Sequence, residues 1–190
     1  MKICGMTSPE DARAAAAAGA DAIGVVLASP SPRSVSPDAA REIFAAVPPF
    51  VTRVAVTSTA RAEDLAEILL LRPDAVQVSG SLYLPRDTGV AVIRMLAPGD
   101  PPRGDCDAVI VDGSHGTGRA FDPGYARRCV ASSPVPVILA GGLSPGNVAA
   151  AIRKVRPYAV DVASGVEAAP GVKDERLMRE FVKICRTIDS

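Results

Sequence analysis

The sequence predicts a single-domain α/β protein, a (β/α)8 TIM barrel, and three observations lead there. Short β-branched runs alternate with amphipathic or Ala-rich segments, and the beat recurs eight times along 190 residues. Most of these runs are continuously apolar, as parallel strands buried on both faces must be. Helix-start signals of one design, a Ser or Asp followed by Pro, recur between the runs.

The strands are expected at 1–4, 21–27, 51–57, 74–79, 90–96, 107–112, 135–140 and 159–163. Ala22-Ile23-Gly24-Val25-Val26-Leu27 is typical of them. After the first strand, Ser8-Pro9-Glu10-Asp11 sets a Ser cap before a first-turn Pro and two acids. Ser36-Pro37-Asp38 and Ser144-Pro145 repeat the device, and Asp122-Pro123 uses Asp as the cap. Two connections break the rhythm. The segment from Ser81 to Gly89 contains Pro85, and the one from Ala97 to Cys106 carries Pro98, Pro101 and Pro102. Neither holds a normal helix. The barrel is therefore expected to be complete in strands, with shortened or missing helices after strands four and five. An open doubly wound sheet is the competing architecture. No linker or composition break divides residues 1–190, so one domain is expected.

Composition narrows the function classes. Hydrophobic residues make up 48% and charged residues 22%, ordinary for a globular protein, but there is no Trp and only 4% aromatic residues. The core must be built from small and branched side chains. The 21 basic and 21 acidic residues cancel without long blocks of one sign, unlike the basic footprint of a nucleic-acid binder. An anionic ligand must then be held by backbone dipoles and one or two cations. Cys4, Cys106, Cys129 and Cys185 form no C-x-x-C pair, and the single His115 leaves little for a metal site, so none is expected. No apolar leader precedes Lys2-Ile3-Cys4, and no uncharged stretch of about twenty residues exists to span a membrane. A reduced, cytoplasmic protein is expected.

In barrels of this kind ligands meet the C-terminal ends of the strands. Those positions are Cys4-Gly5, Ser29 to Arg33, Ser79-Gly80, Arg94, Asp112 to Gly118, Ala140-Gly141-Gly142 and Ala163-Ser164-Gly165. Gly141-Gly142 precedes a capped helix, and Ser164-Gly165 follows strand eight, where a short extra helix is common. Glycines let backbone N–H groups approach a phosphate, and a helix N-terminus adds a favourable dipole. Turns also use glycine for positive φ; the pairing of two such sites in the last two units favours the phosphate. Buried free cysteine is usually apolar filler, the reading kept for three of the four. Cys4, beside Gly5 at the mouth, could take a proton if its surroundings favour the thiolate. Asp112 either caps the Gly113-to-Gly118 loop or acts in the site. Arg33, in the Pro-stiffened Ser31-Pro32-Arg33-Ser34, presents a guanidinium suited to a planar carboxylate. His115, alone in a glycine-rich loop, reads as a bystander.

Several segments resemble one family. Lys2-Ile3-Cys4-Gly5-Met6-Thr7 with Ala18-Gly19-Ala20-Asp21 looks like the opening of phosphoribosylanthranilate isomerases, and Ser31-Pro32-Arg33-Ser34-Val35-Ser36 resembles their second loop. His115-Gly116-Thr117-Gly118-Arg119-Ala120-Phe121-Asp122 is similar to their sixth. Leu139 to Val148, Val160 to Glu167 and Gly171-Val172-Lys173-Asp174 resemble the phosphate-binding end and the lead into the last helix. The likeness runs in register from residue 2 to about residue 182.

The resemblance implies an Amadori rearrangement in tryptophan biosynthesis, with a small phosphorylated substrate, no metal and no cofactor. It makes Asp112 the general acid that opens the furanose ring and Cys4 the general base at C2. Arg33 would hold the anthranilate carboxylate, and the backbone around Gly116, Gly141, Gly142, Ser164 and Gly165 the phosphate. A monomer or homodimer is expected. Ser79 stands where the family usually has His, His115 where it has Gly, and Pro123 where it has an aromatic residue. The thin outer layer predicts lower stability, or a second subunit or partner over residues 81–105. The rival readings are a related phosphosugar isomerase, of the histidine pathway or acting on both substrates, and a degenerate barrel kept for binding.

Overall fold

The structure, a computed structural model, describes residues 1–79, 82, 84, 88–96, 99–102, 104–112 and 121–188. Eight parallel strands close into a barrel in sequence order. They are β1 (Lys2–Cys4), β2 (Ala22–Val26), β3 (Thr52–Thr57), β4 (Ala75–Val78), β5 (Ala91–Leu96), β6 (Ala108–Asp112), β7 (Val137–Ala140) and β8 (Ala159–Val162). The ring closes where Lys2 pairs with Asp161 and Ile3 with Val162. All eight lie within the expected ranges, and the open doubly wound sheet is set aside.

Alternation along each strand splits the apolar residues into two sets. Val54, Ala75, Ile93, Ile110, Ile138 and Ala140 fill the barrel interior. Their neighbours, Ile3, Val25, Val76, Val109 and Leu139 among them, point outward and form the larger core with the helices. This double burial is why the strands read as continuous apolar runs.

The helices are α1 (Pro9–Ala18), α2 (Pro37–Ala45), α3 (Ala62–Leu70), α4 (Pro123–Ser132), α5 (Val148–Val155) and α6 (Glu175–Ile188). Three of the expected caps form. Ser8 Oγ accepts from Asp11 N at 3.1 Å, Ser36 Oγ from Ala39 N at 3.2 Å, and Asp122 Oδ1 from Gly124 N at 2.8 Å. The fourth does not. With Gly141 and Gly142 both left-handed (φ 98° and 62°), the chain makes a further turn, and α5 begins only at Val148. Asn147 ties that turn by accepting from Ser144 N at 2.9 Å and donating to the Gly142 carbonyl at 2.8 Å. An amide carries its acceptor and its donors on two separate atoms, so Asn147 can bridge two backbone groups at once.

Among the described residues there is no α-helix between β4 and β5 or between β5 and β6. Arg94 covers part of the barrel wall on this side. It lies on the outward face of β5 beside Val92 and Leu96, 2% exposed, and donates to the Leu82 carbonyl at 2.5 Å. The sequence placed Arg94 among the strand-end positions; mid-strand and facing outward, it belongs to the wall and not to the mouth.

Candidate active site

Cys4, Asp112, Ala140 and Val162 are the last residues of β1, β6, β7 and β8, so all four open on the C-terminal mouth. The opposite end holds a cavity of about 580 Å³ lined by first residues of strands, including Lys2, Ala22, Thr52 and Ala159. The site chemistry gathers at the mouth.

Beneath Cys4 the barrel interior is polar. Lys2, on the same face of β1, donates to Asp161 Oδ1 at 2.9 Å and to Gln77 Oε1 at 3.0 Å, and all three residues are buried. A Cβ built on Gly24 would lie 2.7 Å from Cys4 Sγ and 3.0 Å from Lys2 Cε. Gly24 thus makes the room in which thiol and ammonium stem come together, the usual meaning of an isolated glycine inside a strand. Burial opposes the charge on Lys2, but the Asp161 carboxylate and Cys4 together more than offset it and hold the ammonium charged. For Cys4, burial pushes the thiol above its ordinary pKa, and Lys2 works against that rise.

Around Cys4 the mouth is closed by side chains from both ends of the chain. After β8 a single 3-10 turn, Ser164–Val166, leads into a small antiparallel hairpin of β9 (Glu167–Ala169) and β10 (Val172–Lys173). Gly171, at the turn with φ 81°, accepts a hydrogen bond from Thr7 Oγ1 at 2.5 Å on its carbonyl. The hairpin so reaches over to the first unit. Glu167 accepts from Arg33 Nε and Nη2, both at 2.7 Å, and from Lys173 Nζ at 2.8 Å. A Cβ on Gly5 would fall 2.5 Å from Arg33 Cδ, so that glycine lets the arginine stem cross the end of β1. Burial would raise the Glu167 pKa, but its two cations hold it below the ordinary value.

The glycine sites of the last two units also meet. A Cβ on Gly165 would stand 1.9 Å from the Leu143 carbonyl oxygen, so only glycine fits there. The 3-10 turn after β8 is therefore pressed on the Gly141-Gly142 loop after β7.

Of the expected site residues, Cys4 and Arg33 come together across Gly5, and Gly141, Gly142, Ser164 and Gly165 lie on two turns that pack together. Asp112, partly buried, ends β6 beside Ala140 in the sheet. Gly116 and His115 lie outside the described residues. Arg33 already grips a carboxylate of the chain itself. Sequence reasoning missed Lys2, Gln77, Asp161, Glu167 and Lys173 as neighbours of the site. The first three carried a signal, a polar residue within an otherwise apolar strand; the last two stood within segments that resemble the family, with nothing in the sequence to show that they pair.

A closed parallel barrel with glycine turns packed together after its last two strands and ionisable side chains at the mouth has the architecture of a (β/α)8 enzyme. A family model for N-(5'-phosphoribosyl)anthranilate isomerase matches residues 1–184, and the chain belongs to that family. It is 54% identical over 190 residues to N-(5'-phosphoribosyl)anthranilate isomerase of Methanoregula boonei, covering 100% of this chain and 97% of the relative. The crystal structure of phosphoribosyl anthranilate isomerase from Thermus thermophilus superposes with a TM-score of 0.85 at 36% identity, with 98% of each chain covered. A second, at TM-score 0.80 and 33% identity over 98% of this chain and 97% of that one, is a phosphoribosyl anthranilate isomerase in complex with reduced 1-(o-carboxyphenylamino)-1-deoxyribulose 5-phosphate.

Proposed function

We propose that this chain catalyses the Amadori rearrangement of N-(5'-phosphoribosyl)anthranilate to 1-(2-carboxyphenylamino)-1-deoxyribulose 5-phosphate, a step of tryptophan biosynthesis. The observation that carries the reading is the placement of Cys4 and Asp112. They end β1 and β6, and the glycine cradle on β7 and β8 lies between them in the ring. A phosphosugar anchored there by its phosphate presents its ring to an acid on one side and a base on the other.

Asp112 protonates the ring oxygen as the C1–O bond breaks, and the anilino nitrogen lone pair forms the C1=N bond of a Schiff base. The Cys4 thiolate then takes the C2 proton, whose electron pair moves into C1=C2 while the C1=N pair returns to nitrogen. The enolamine gains a proton at C1 while its C2 hydroxyl gives one up, leaving the ketone, so the net change is an isomerisation. Solvent restores the proton to Asp112 and removes it from Cys4. Arg33 holds the substrate carboxylate. The backbone at Gly141, Gly142, Ser164 and Gly165, with Gly116 of the sixth loop, holds the phosphate. No cofactor or metal is assigned a role. Cytoplasmic location, a monomer or homodimer, and no nucleic-acid or membrane partner complete the reading; no helix among the described residues is long and apolar enough to cross a membrane.

The test is turnover of freshly generated phosphoribosylanthranilate, followed by loss of its fluorescence, in wild type, Cys4→Ser and Asp112→Asn. Wild type is expected to turn over and each variant to lose kcat by about 10²–10⁴, the range for a positioned acid or base. Wild type that binds product without turnover would establish a binding barrel instead. Turnover of the histidine-pathway aminoaldose by wild type would extend the reading to two substrates.

A further inference from the structure

We propose that Glu167 and Lys173 are positioning residues for Arg33, and that through it they set the enzyme's preference for a substrate bearing a carboxylate on its aromatic ring. The inference rests on the reading that Arg33 receives that carboxylate.

The geometry is that of a built arrangement and not of a chance surface pair. Arg33 donates two bonds to Glu167, each 2.7 Å, in the side-by-side fork that fixes the guanidinium plane. Glu167 is held from behind by Lys173, whose side chain is 0% exposed and also donates to the Ala163 carbonyl at 3.2 Å. The side-chain exposures of Glu167 and Arg33 are only 4% and 13%. Lys173 faces Glu167 because β9 and β10 pair them directly. From loop two, Arg33 is aimed by the turn in which its N–H bonds Ser31 Oγ at 3.2 Å and Val35 N bonds the Val26 carbonyl at 2.9 Å.

Two consequences follow for a ligand. The fork uses Nε and one Nη2 proton, which leaves the far edge of the guanidinium, with the Nη1 protons, for a second carboxylate. Three charges, two positive and one negative, leave the cluster with a net positive charge beside Cys4. A rigid, desolvated cation with one edge still open selects an anionic ring substituent, and a loose arginine would do so less well. Lys173 supplies the charge that lets Glu167 be buried without cancelling Arg33.

The experiment compares kcat/KM for phosphoribosylanthranilate and for phosphoribosylaniline, which lacks the carboxylate, in wild type, Arg33→Met, Glu167→Gln and Lys173→Met. Glu167→Gln keeps the shape and loses the charge. It is expected to lower the anthranilate-to-aniline ratio about tenfold, and Lys173→Met to lower it in the same direction. Equal loss on both substrates, or no loss, in both variants would overturn the proposal by making the cluster structural only. The aniline substrate also reports folding, since an unfolded variant loses both. If Arg33→Met leaves the ratio at its wild-type value, the reading of Arg33 fails and the proposal falls with it. A ratio altered in Arg33→Met but not in Glu167→Gln or Lys173→Met overturns the proposal alone.

Discussion

On the proposed mechanism Cys4 must lose its proton before it can act as a base, and it is placed where that is hard. Burial favours the neutral form, and the ammonium of Lys2 is the main influence opposing it, with Lys173 adding to it and Asp161 subtracting. Since only the thiolate can accept the C2 proton, kcat/KM is expected to rise with pH through a Cys4 pKa above that of an ordinary thiol. In Lys2→Met the rise should move to higher pH and the rate at pH 7 should fall. The same change strands Asp161 in the barrel, at a cost of about 3–5 kcal/mol in stability. A pH–rate profile and a urea melt on the same variant separate the two effects: an unmoved profile with reduced stability would mean that Lys2 only packs. At this scale the sequence was partly legible. Cys4, Asp112, Arg33 and the glycines announce themselves by standing at strand ends, a position that single-sequence periodicity can locate. Lys2 and Asp161 meet only because β1 and β8 are neighbours at the closing of the ring, and no local pattern encodes a pairing 159 residues apart.

Elements were legible to the extent that their physics is local. Strands buried on both faces must be apolar throughout, so all eight could be read. Caps were read from a two-residue signal, and that is where the reading slipped. Ser8-Pro9 and Asp122-Pro123 begin helices, whereas Ser144-Pro145 follows two left-handed glycines that delay α5 by a turn. The three positions should part in stability. Ser8→Ala and Asp122→Ala are each expected to cost about 1 kcal/mol, and Ser144→Ala less than about 0.5 kcal/mol, all measured by urea denaturation. A Ser144→Ala cost equal to the others would restore the hydroxyl as a cap. Between β4 and β6 the prolines predict shortened or missing helices, and they give no hint of the buried arginine. A buried arginine that bonds the carbonyl of an irregular segment leaves the signature of an ordinary polar residue in a strand.

Across the whole molecule the joint between first and last strands is held by side chains more than by chain connection. Lys2 bonds Asp161, Thr7 bonds Gly171 and Arg33 bonds Glu167, while the Met1 ammonium (2.7 Å) and Arg186 (3.4 Å) both reach Asp21. The two ends of the chain thus lie near one another. A circular permutant with residues 190 and 1 joined by a short glycine-rich linker, and new ends between Pro49 and the exposed Phe50, is expected to fold. Its kcat/KM should stay within about tenfold of wild type, because surface sites of this kind tolerate reconnection. Loss of the folded state would mean that the connection at Pro49 contributes more than its exposure suggests. The hairpin that carries Glu167 and Lys173 has a consequence in time as well as in space. During synthesis Arg33 leaves the ribosome well before Glu167, its partner 134 residues further on. A nascent chain can build seven strands, and even dock most of its helices, while Arg33 still has no counter-ion. A chain stopped between residues 140 and 167 therefore carries at least seven of the eight strands but lacks the carboxylate that fixes the Arg33 guanidinium.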